Sequence, residues 1–428
     1  MLDFELERHN TSALSARAKP LRIAILSYRS NPKVGGQGVY VDYLASALAE
    51  TGASVDVISG PPYPELTGDV GLIKLPSLDL YAQPNNGHYA LRPRHLLSPT
   101  DTYEYFGHLS GKFVEPYTFG QRAYDYLKRQ AGTYDVVLDN QTLAHGVLRI
   151  NNKLPLATMI HHPITRDRQL ALNAAPDWKH RWLVRRWYSF LKMQIEVARK
   201  LPAITTPSEH SKSDIVSEFG VDPDRIHPIP LGVDKSAFYP RADVQKAPAR
   251  LITTASADVP LKGLHILVEA YAELRKARPE LELVVIGKLR EGQASKKIKA
   301  LGLEPHIQFK SNLSREDLAR EFGAATIAVT PSLYEGFGLP AAEAMSCGTA
   351  VVVTDGGALP EVAGDAGIIV PKGDAGALAG AISDLLDHPD KLNATAQACL
   401  ARAQSHFNWR NIAPKYLDFF TEVMAKAC

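Results

Sequence analysis

Short apolar runs alternate with amphipathic stretches along most of the chain. Residues 21–26 (LRIAIL) are almost continuously apolar, which suits a strand buried on both faces of a sheet. A loop with Gly35, Gly36, Gln37 and Gly38 follows, then helical periodicity over 39–50 closed by Gly52, then a strand at 54–59. Strand, glycine loop, helix and strand form a βαβ unit, which predicts parallel pairing. Residues 60–117 break the pattern. They are rich in Pro, Gly, Tyr and His, and read as a long irregular segment that is either functional or disordered.

The alternation resumes with a helix near 119–131 and strands at 135–138 and 156–160. A long basic helix, a strand at 203–206, a helix at 209–219 ended by Gly220 and a strand at 226–229 come next. A second series has strands at 251–255, 281–286, 306–309, 326–329 and 349–353. Its helices fall at 263–277, 292–300, 315–322, 340–347 and 374–386, and a last helix begins near 410. Pro230, Gly232, Pro240 and Pro248 mark the boundary between the two series. The pattern predicts an α/β protein of two doubly wound parallel-sheet domains, 21–233 and 234–409. Residues 1–20 read as a mobile tail, and 410–428 as a final helix.

A chain of 428 residues exceeds what one core usually serves, so length agrees with two domains. The formal charge of +2 is too balanced for a nucleic-acid binder, and none is expected as a partner. Cys347, Cys399 and Cys428 have neither ligand-like nor disulfide-like spacing, which fits a reducing compartment. No apolar run approaches the roughly 20 residues that span a bilayer, and residues 1–20 lack a signal-peptide core. These features predict a cytoplasmic protein, attached to a membrane only peripherally on its inner face if at all.

Charge is concentrated locally. Residues 178–201 read as one helix on which Leu183, Val184, Trp187, Phe190, Leu191, Ile195, Ala198 and Leu201 share a broad arc, taking 100° per residue. Arg181, Arg185, Lys192 and Arg199 align on the opposite side, with Trp178 and Tyr188 close by. A core-packed helix with a solvated polar face explains this pattern. So does a surface for anionic lipid headgroups or an anionic acceptor.

The most informative segment is 331–348, PSLYEGFGLPAAEAMSCG. Pro340 suits the first helical position and Gly348 the position just past the end. Gly336 and Gly338 let backbone approach a ligand where the helix begins, and its free amides and positive dipole end favour a phosphate. Eight helical residues would separate the Cα atoms of Glu335 and Glu343 by about 12 Å. That exceeds the roughly 5–9.5 Å of hydrolytic carboxylate pairs. Carboxylates so spaced can instead accept hydroxyl hydrogen bonds at two places on one elongated ligand.

Glu335 and Glu343, with the glycine turn between them, resemble the signature of the retaining GT-B glycosyltransferases of family 4. The resemblance implies two Rossmann-like domains facing a central cleft, with the helix at 410–428 returning to the first, and transfer of a hexose from a UDP- or GDP-sugar to a sugar or lipid-linked acceptor. It implies that Glu335 holds donor-sugar hydroxyls and Glu343 the ribose, while Gly336, Phe337, Gly338 and Leu339 present backbone to sugar and phosphate. Gly36 and Gln37 of the first glycine loop would face the donor phosphates. Lys262, before Gly263, would meet the departing diphosphate as a point charge. His161 would support the reacting sugar by hydrogen bonding, with His162 as the alternative assignment.

One departure stands out. The family usually carries an arginine five or six positions before the lysine, where this chain has Ser256 and Ala257. Either another basic residue replaces it or the leaving group is stabilised differently. The departure also prompts a rival reading, a nucleotide-sugar-binding protein with little transferase activity. No cofactor and no metal are expected, since the nucleotide-sugar is a co-substrate and no clustered metal ligands are evident.

Overall fold

The computed structural model describes residues 6–7, 20–31, 36–255 and 259–427. They divide into two compact units. The first is Met1–Pro207, Lys212–Ile229 and Ala413–Cys428; the second is Ser208–Ser211 and Pro230–Ile412.

The first unit is built on strands β1 (Leu6–Glu7), β2 (Arg22–Ser27), β3 (Ser54–Ser59), β4 (Val70–Lys74), β5 (Val136–Asn140), β6 (Leu156–Met159), β7 (Ile204–Thr206) and β8 (Ile226–Pro228). Their order is β1-β4-β3-β2-β5-β6-β7-β8, parallel throughout except for the antiparallel β1–β4 pair. Hydrophobic strands dominate because helices cover both faces: every residue of β5 and β6 is buried. Beneath the sheet, Leu26, Ile58, Phe119, Val137, Leu156 and Phe219 belong to one apolar cluster.

The second unit holds β9 (Arg250–Thr254), β10 (Glu282–Ile286), β11 (Ile307–Lys310), β12 (Ile327–Thr330), β13 (Ala350–Thr354) and β14 (Ile368–Val370). Their order, β11-β10-β9-β12-β13-β14, is the doubly wound pattern in which strand order reverses between the first and fourth strands. All pairs are parallel. In each unit the reversal point opens the sheet's carboxyl edge to loops that can receive a ligand: β2 and β5 flank it in the first unit, β9 and β12 in the second.

Several expectations are corrected. Within residues 1–20, Leu6–Glu7 forms a strand paired with β4, so that segment is not wholly a tail. Residues 60–117 are not irregular: they hold β4, the helix Pro99–Leu109 and the start of the helix Glu115–Leu127. Ser98 caps the first of these helices by accepting the Asp101 amide. Helices His145–Asn151 and Pro389–His406 went unpredicted.

The 178–201 helix is broken. Trp178–Trp187 is α-helical, Tyr188–Phe190 tightens to a 3-10 turn, and Leu191–Ala198 continues. No residue of the first piece is buried, and Leu183, expected in the core, is 49% exposed. The four cations therefore do not share one continuous α-helix. Arg181 and Arg185 lie on the exposed piece and Lys192 on the second, while Arg199 lies past its end and donates to the Phe219 carbonyl.

Candidate active site

In the second unit, the loops leaving β9 and β12 carry the candidate residues Lys262 and Glu335. Beyond β9 the chain forms a 3-10 turn, Pro260–Lys262, and enters the helix Leu264–Ala277 through Gly263. Gly263 has φ +65°, and a Cβ there would lie 1.9 Å from the Pro331 carbonyl oxygen. Only glycine allows so close an approach in that conformation. The Leu333 amide donates to the Leu261 carbonyl at 2.8 Å, which ties the two loops together.

That tie places Lys262 Nζ 2.6 Å from Glu335 Oε1, and Ser332 Oγ donates to the same oxygen at 2.8 Å. The Glu335 side chain is only 13% exposed. Its backbone is braced by the 356–361 motif: the Glu335 amide donates to the Gly356 carbonyl and the Ala358 amide to the Glu335 carbonyl. The Gly336 carbonyl accepts from the hydroxyls of Ser208 and Ser211, each at 2.9 Å. Glu361 in turn accepts the amides of Glu209 and His210. Residues 208–211 and 356–361 thus fix the glycine turn.

The turn ends at Gly338, in a left-handed conformation (φ 105°), and the helix Leu339–Ser346 begins with no side chain capping it. Pro340 has no N–H and the Ala341 amide already donates to the Gly338 carbonyl, so the amides of Gly338 and Leu339 are the ones that can meet an anion. Phe337 does not point to a ligand, since its ring is buried edge-on against Phe407. Glu343 lies on the same helix, 7% exposed. Burial pushes its carboxyl up to about 8, against the pull of Arg315, with Asp234 reinforcing the rise.

In the first unit, His161 follows β6 and is half-buried. Its Nε2 lies 2.8 Å from Asn140 Oδ1, and its amide donates to Gln141 Oε1 at 2.8 Å. Asn140 Nδ2 reaches Ser27 Oγ at 3.3 Å, which orients the amide with its oxygen toward the ring. Desolvation, and then the neighbouring His162, lower the His161 pKa to about 3. Tyr40 packs edge-on to the ring at 4.8 Å, and its hydroxyl meets that of Tyr416 at 3.0 Å. His162 instead faces Asp167, 3.3 Å away.

Gly36 and Gln37 lie in the first turn of the helix Gly36–Glu50, while Gly35 lies outside the described residues. The positions of the departed arginine, Ser256 and Ala257, also lie outside them. Ile286, the last residue of β10, pairs with Thr254, so exposed Lys288 and Arg290 leave the same sheet edge as the Lys262 loop. Sequence reasoning missed these cations, along with Asn140 and Gln141. The polar DNQ run directly after an apolar strand was the available signal.

Residues 239–400 match the family described as Glycosyl transferases group 1, and residues 34–237 match Glycosyltransferase Family 4. The chain is 43% identical over 412 residues to the MMP alpha-(1->4)-mannosyltransferase of Mycolicibacterium hassiacum, an alignment covering 95% of this chain and 99% of that one. It is a GT-B glycosyltransferase of family 4.

The glycosyltransferase is also 27% identical over 461 residues to the D-inositol 3-phosphate glycosyltransferase of Acidothermus cellulolyticus, covering 99% of this chain and 95% of the relative. Among solved structures it matches sucrose-phosphate synthase from Thermosynechococcus elongatus with a TM-score of 0.69. That match, at 23% identity, covers 95% of this chain and 100% of the other and speaks for the fold. Among the described residues of the glycosyltransferase, no helix is long and apolar enough to cross a membrane.

Proposed function

We propose that this glycosyltransferase moves a mannosyl group from a nucleotide diphosphate mannose to a hydroxyl of a glycan acceptor, with net retention at the anomeric carbon. The observation that carries the reading is the Lys262–Glu335 pair beside an uncapped helix N-terminus. A cation and free amides suit a diphosphate, and a carboxylate held firmly by its neighbours suits sugar hydroxyls. The mannosyltransferase relative supports the choice of sugar. Its named product is α-linked, and an α-product from an α-linked nucleotide sugar means retention.

In this reading Lys262 and the amides of Gly338 and Leu339 stabilise charge growing on the departing diphosphate. Glu335 accepts from donor-sugar hydroxyls and Glu343 from the ribose. His161, held neutral by burial, hydrogen-bonds the reacting sugar. Gly36 and Gln37 present backbone to the phosphates. Leaving-group charge is met by Lys262 and not by a metal, so full turnover in excess EDTA is expected.

The test is product formation by the purified chain from GDP-mannose, UDP-glucose and UDP-mannose. Acceptors are α-(1→4)-linked mannose oligosaccharides and D-inositol 3-phosphate, and NMR reads the new anomeric linkage. Acceptor-dependent release of nucleoside diphosphate with an α-mannosyl product is expected. Tight donor binding without transfer to either acceptor class would favour the nucleotide-sugar-binding reading.

A further inference from the structure

The first unit carries an open groove of about 280 Å³ on a surface that the donor chemistry does not use. Its floor is aromatic. Phe113 stacks on Trp187 with ring centres 5.2 Å apart, and Phe190 meets the Phe113 edge at 5.3 Å. Tyr81 closes this ladder from behind, 5.7 Å from Trp187. Side chains locked to one another in this way leave a preformed surface, which lowers the ordering cost of binding. Phe190, which ends the 3-10 turn Tyr188–Phe190, lines the groove.

One wall is a pair of tyrosines. Tyr103 and Tyr117 have ring centres 4.9 Å apart, and they stay 41% and 37% exposed. Two large rings held together at the surface, beside a cavity, mark a binding site more than a packing remnant. Lys112, His145 and Ser189 supply polar groups at the groove's edge. This mixture discriminates between ligands. An acyl chain gains from a closed apolar slot and nothing from an ammonium or imidazole. A sugar ring offers both matches: polarised C–H bonds on one face for an aromatic ring, and hydroxyls around its rim for polar groups.

Within the first unit the groove is tied to the His161 loop: His145, which lines it, lies five residues beyond Asn140, the end of β5 that holds the His161 ring. Val114 also lines the groove, and the next residue, Glu115, accepts from Arg29, two residues beyond β2 at the sheet's reversal point.

We propose that this groove is a glycan subsite, holding a sugar ring of an oligosaccharide acceptor away from its reacting end. The proposal rests on the reading of the chain as a mannosyltransferase with a glycan acceptor. It goes beyond that reading by naming an extended acceptor and the residues that sense its length.

The experiment compares wild type with Tyr103→Ala, Tyr117→Ala and the ring-preserving Tyr117→Phe. It uses α-(1→4)-linked mannose, mannobiose and mannotetraose as acceptors. Both alanine variants should raise KM for the tetraose about tenfold and leave KM for mannose and for the donor unchanged. Tyr117→Phe should behave as wild type, which separates ring stacking from folding damage. Direct titration of mannotetraose, without donor, is followed by fluorescence of Trp187, which stacks on Phe113 of the groove, with Trp187→Phe defining its signal.

Binding without any transfer would keep the subsite and sink the mannosyltransferase reading. Transfer whose KM ignores chain length in all variants would sink the subsite alone. Loss of phosphatidylglycerol-vesicle binding in the alanine variants, with no binding of mannotetraose to wild type, would overturn it in favour of a lipid surface.

Discussion

Lys262 and Glu335 arise on loops 73 positions apart, yet their side chains meet at 2.6 Å. The two loops leave β9 and β12, the strands that flank the reversal of strand order, so sheet topology brings them together. Each group is the other's partner, and in the proposed reading Lys262 turns to the diphosphate of the donor. Lys262→Ala should therefore lower kcat about 100-fold, the scale seen when a charge-stabilising group is removed. The pair is partly solvated, so its loss should cost only about 1 kcal/mol of stability. Steady-state kinetics beside a thermal melt check both. A large fall in Tm with intact kcat would reduce the lysine to a structural role.

Glu343 makes stability depend on pH. The folded protein keeps a proton on this carboxyl up to about pH 8, whereas the unfolded chain releases it near 4.5. Its stabilising contribution is fully present below about pH 4.5 and is lost as pH rises toward 8, at a limiting slope of about 1.4 kcal/mol per pH unit. Glu115 and Asp139, raised by burial to about 7 and about 6, act in the same direction. Glu343→Gln should flatten, without abolishing, the decline of unfolding free energy between pH 5 and 8, followed by urea titration at each pH. An unchanged slope would mean that the side chain is hydrated and ionised.

The parallel sheets were legible because strands buried on both faces leave near-continuous apolar runs, as at 21–26 and 349–353. The glycine turn was legible too, since Gly336, Gly338 and Pro340 encode backbone geometry directly. The helix Trp178–Trp187 was misread for a physical reason. Periodicity reports which residues could share a face, but not how much packs against that face, and here no residue of the helix is fully buried. Asn140 and Gln141 were missed because they act on His161 across strands, a relation that spacing along the chain does not record.

Gly263 and Gly302 offer a matched comparison. Both have φ near +65°, but a Cβ on Gly302 would meet nothing within 4 Å, while one on Gly263 would strike the Pro331 carbonyl. Gly302→Ala should cost about 1–2 kcal/mol through backbone strain and leave kinetics alone. Gly263→Ala carries the same strain and must also separate the two loops, so donor KM should rise with a larger fall in Tm. Equal effects of the two changes would show that the Lys262 loop tolerates displacement.

Lys288 and Arg290 are exposed on the chain leaving β10, at the sheet edge from which the Lys262 loop also departs. If either replaces the family's arginine, removing both charges should raise donor KM about tenfold, by loss of a charge-assisted contact worth about 1.4 kcal/mol. The double variant K288A/R290A keeps the β10 strand itself unchanged. Isothermal titration with nucleoside diphosphate and with the nucleoside alone separates phosphate contacts from base contacts. Equal weakening of both ligands would point to a disturbed loop.

His161 should stay neutral throughout the working range, because its pKa lies near 3. Loss of solvent sets that value, and Asn140 accepts from the ring without supplying charge. The pH profile of kcat/KM should therefore show no His161 limb between pH 5 and 8. Asn140→Asp would place a carboxylate 2.8 Å from Nε2 and favour the imidazolium, shifting the pKa upward. Nitrogen NMR of the His161 ring follows the proton directly, while the pH profile reports its consequence. If neutral imidazole is what the reacting sugar requires, the variant should lose activity as pH falls through its new pKa. Wild type should hold its activity over the same range. A variant whose ring titrates near neutrality without any change in the profile would remove His161 from the chemistry and leave it a packing residue beneath Tyr40.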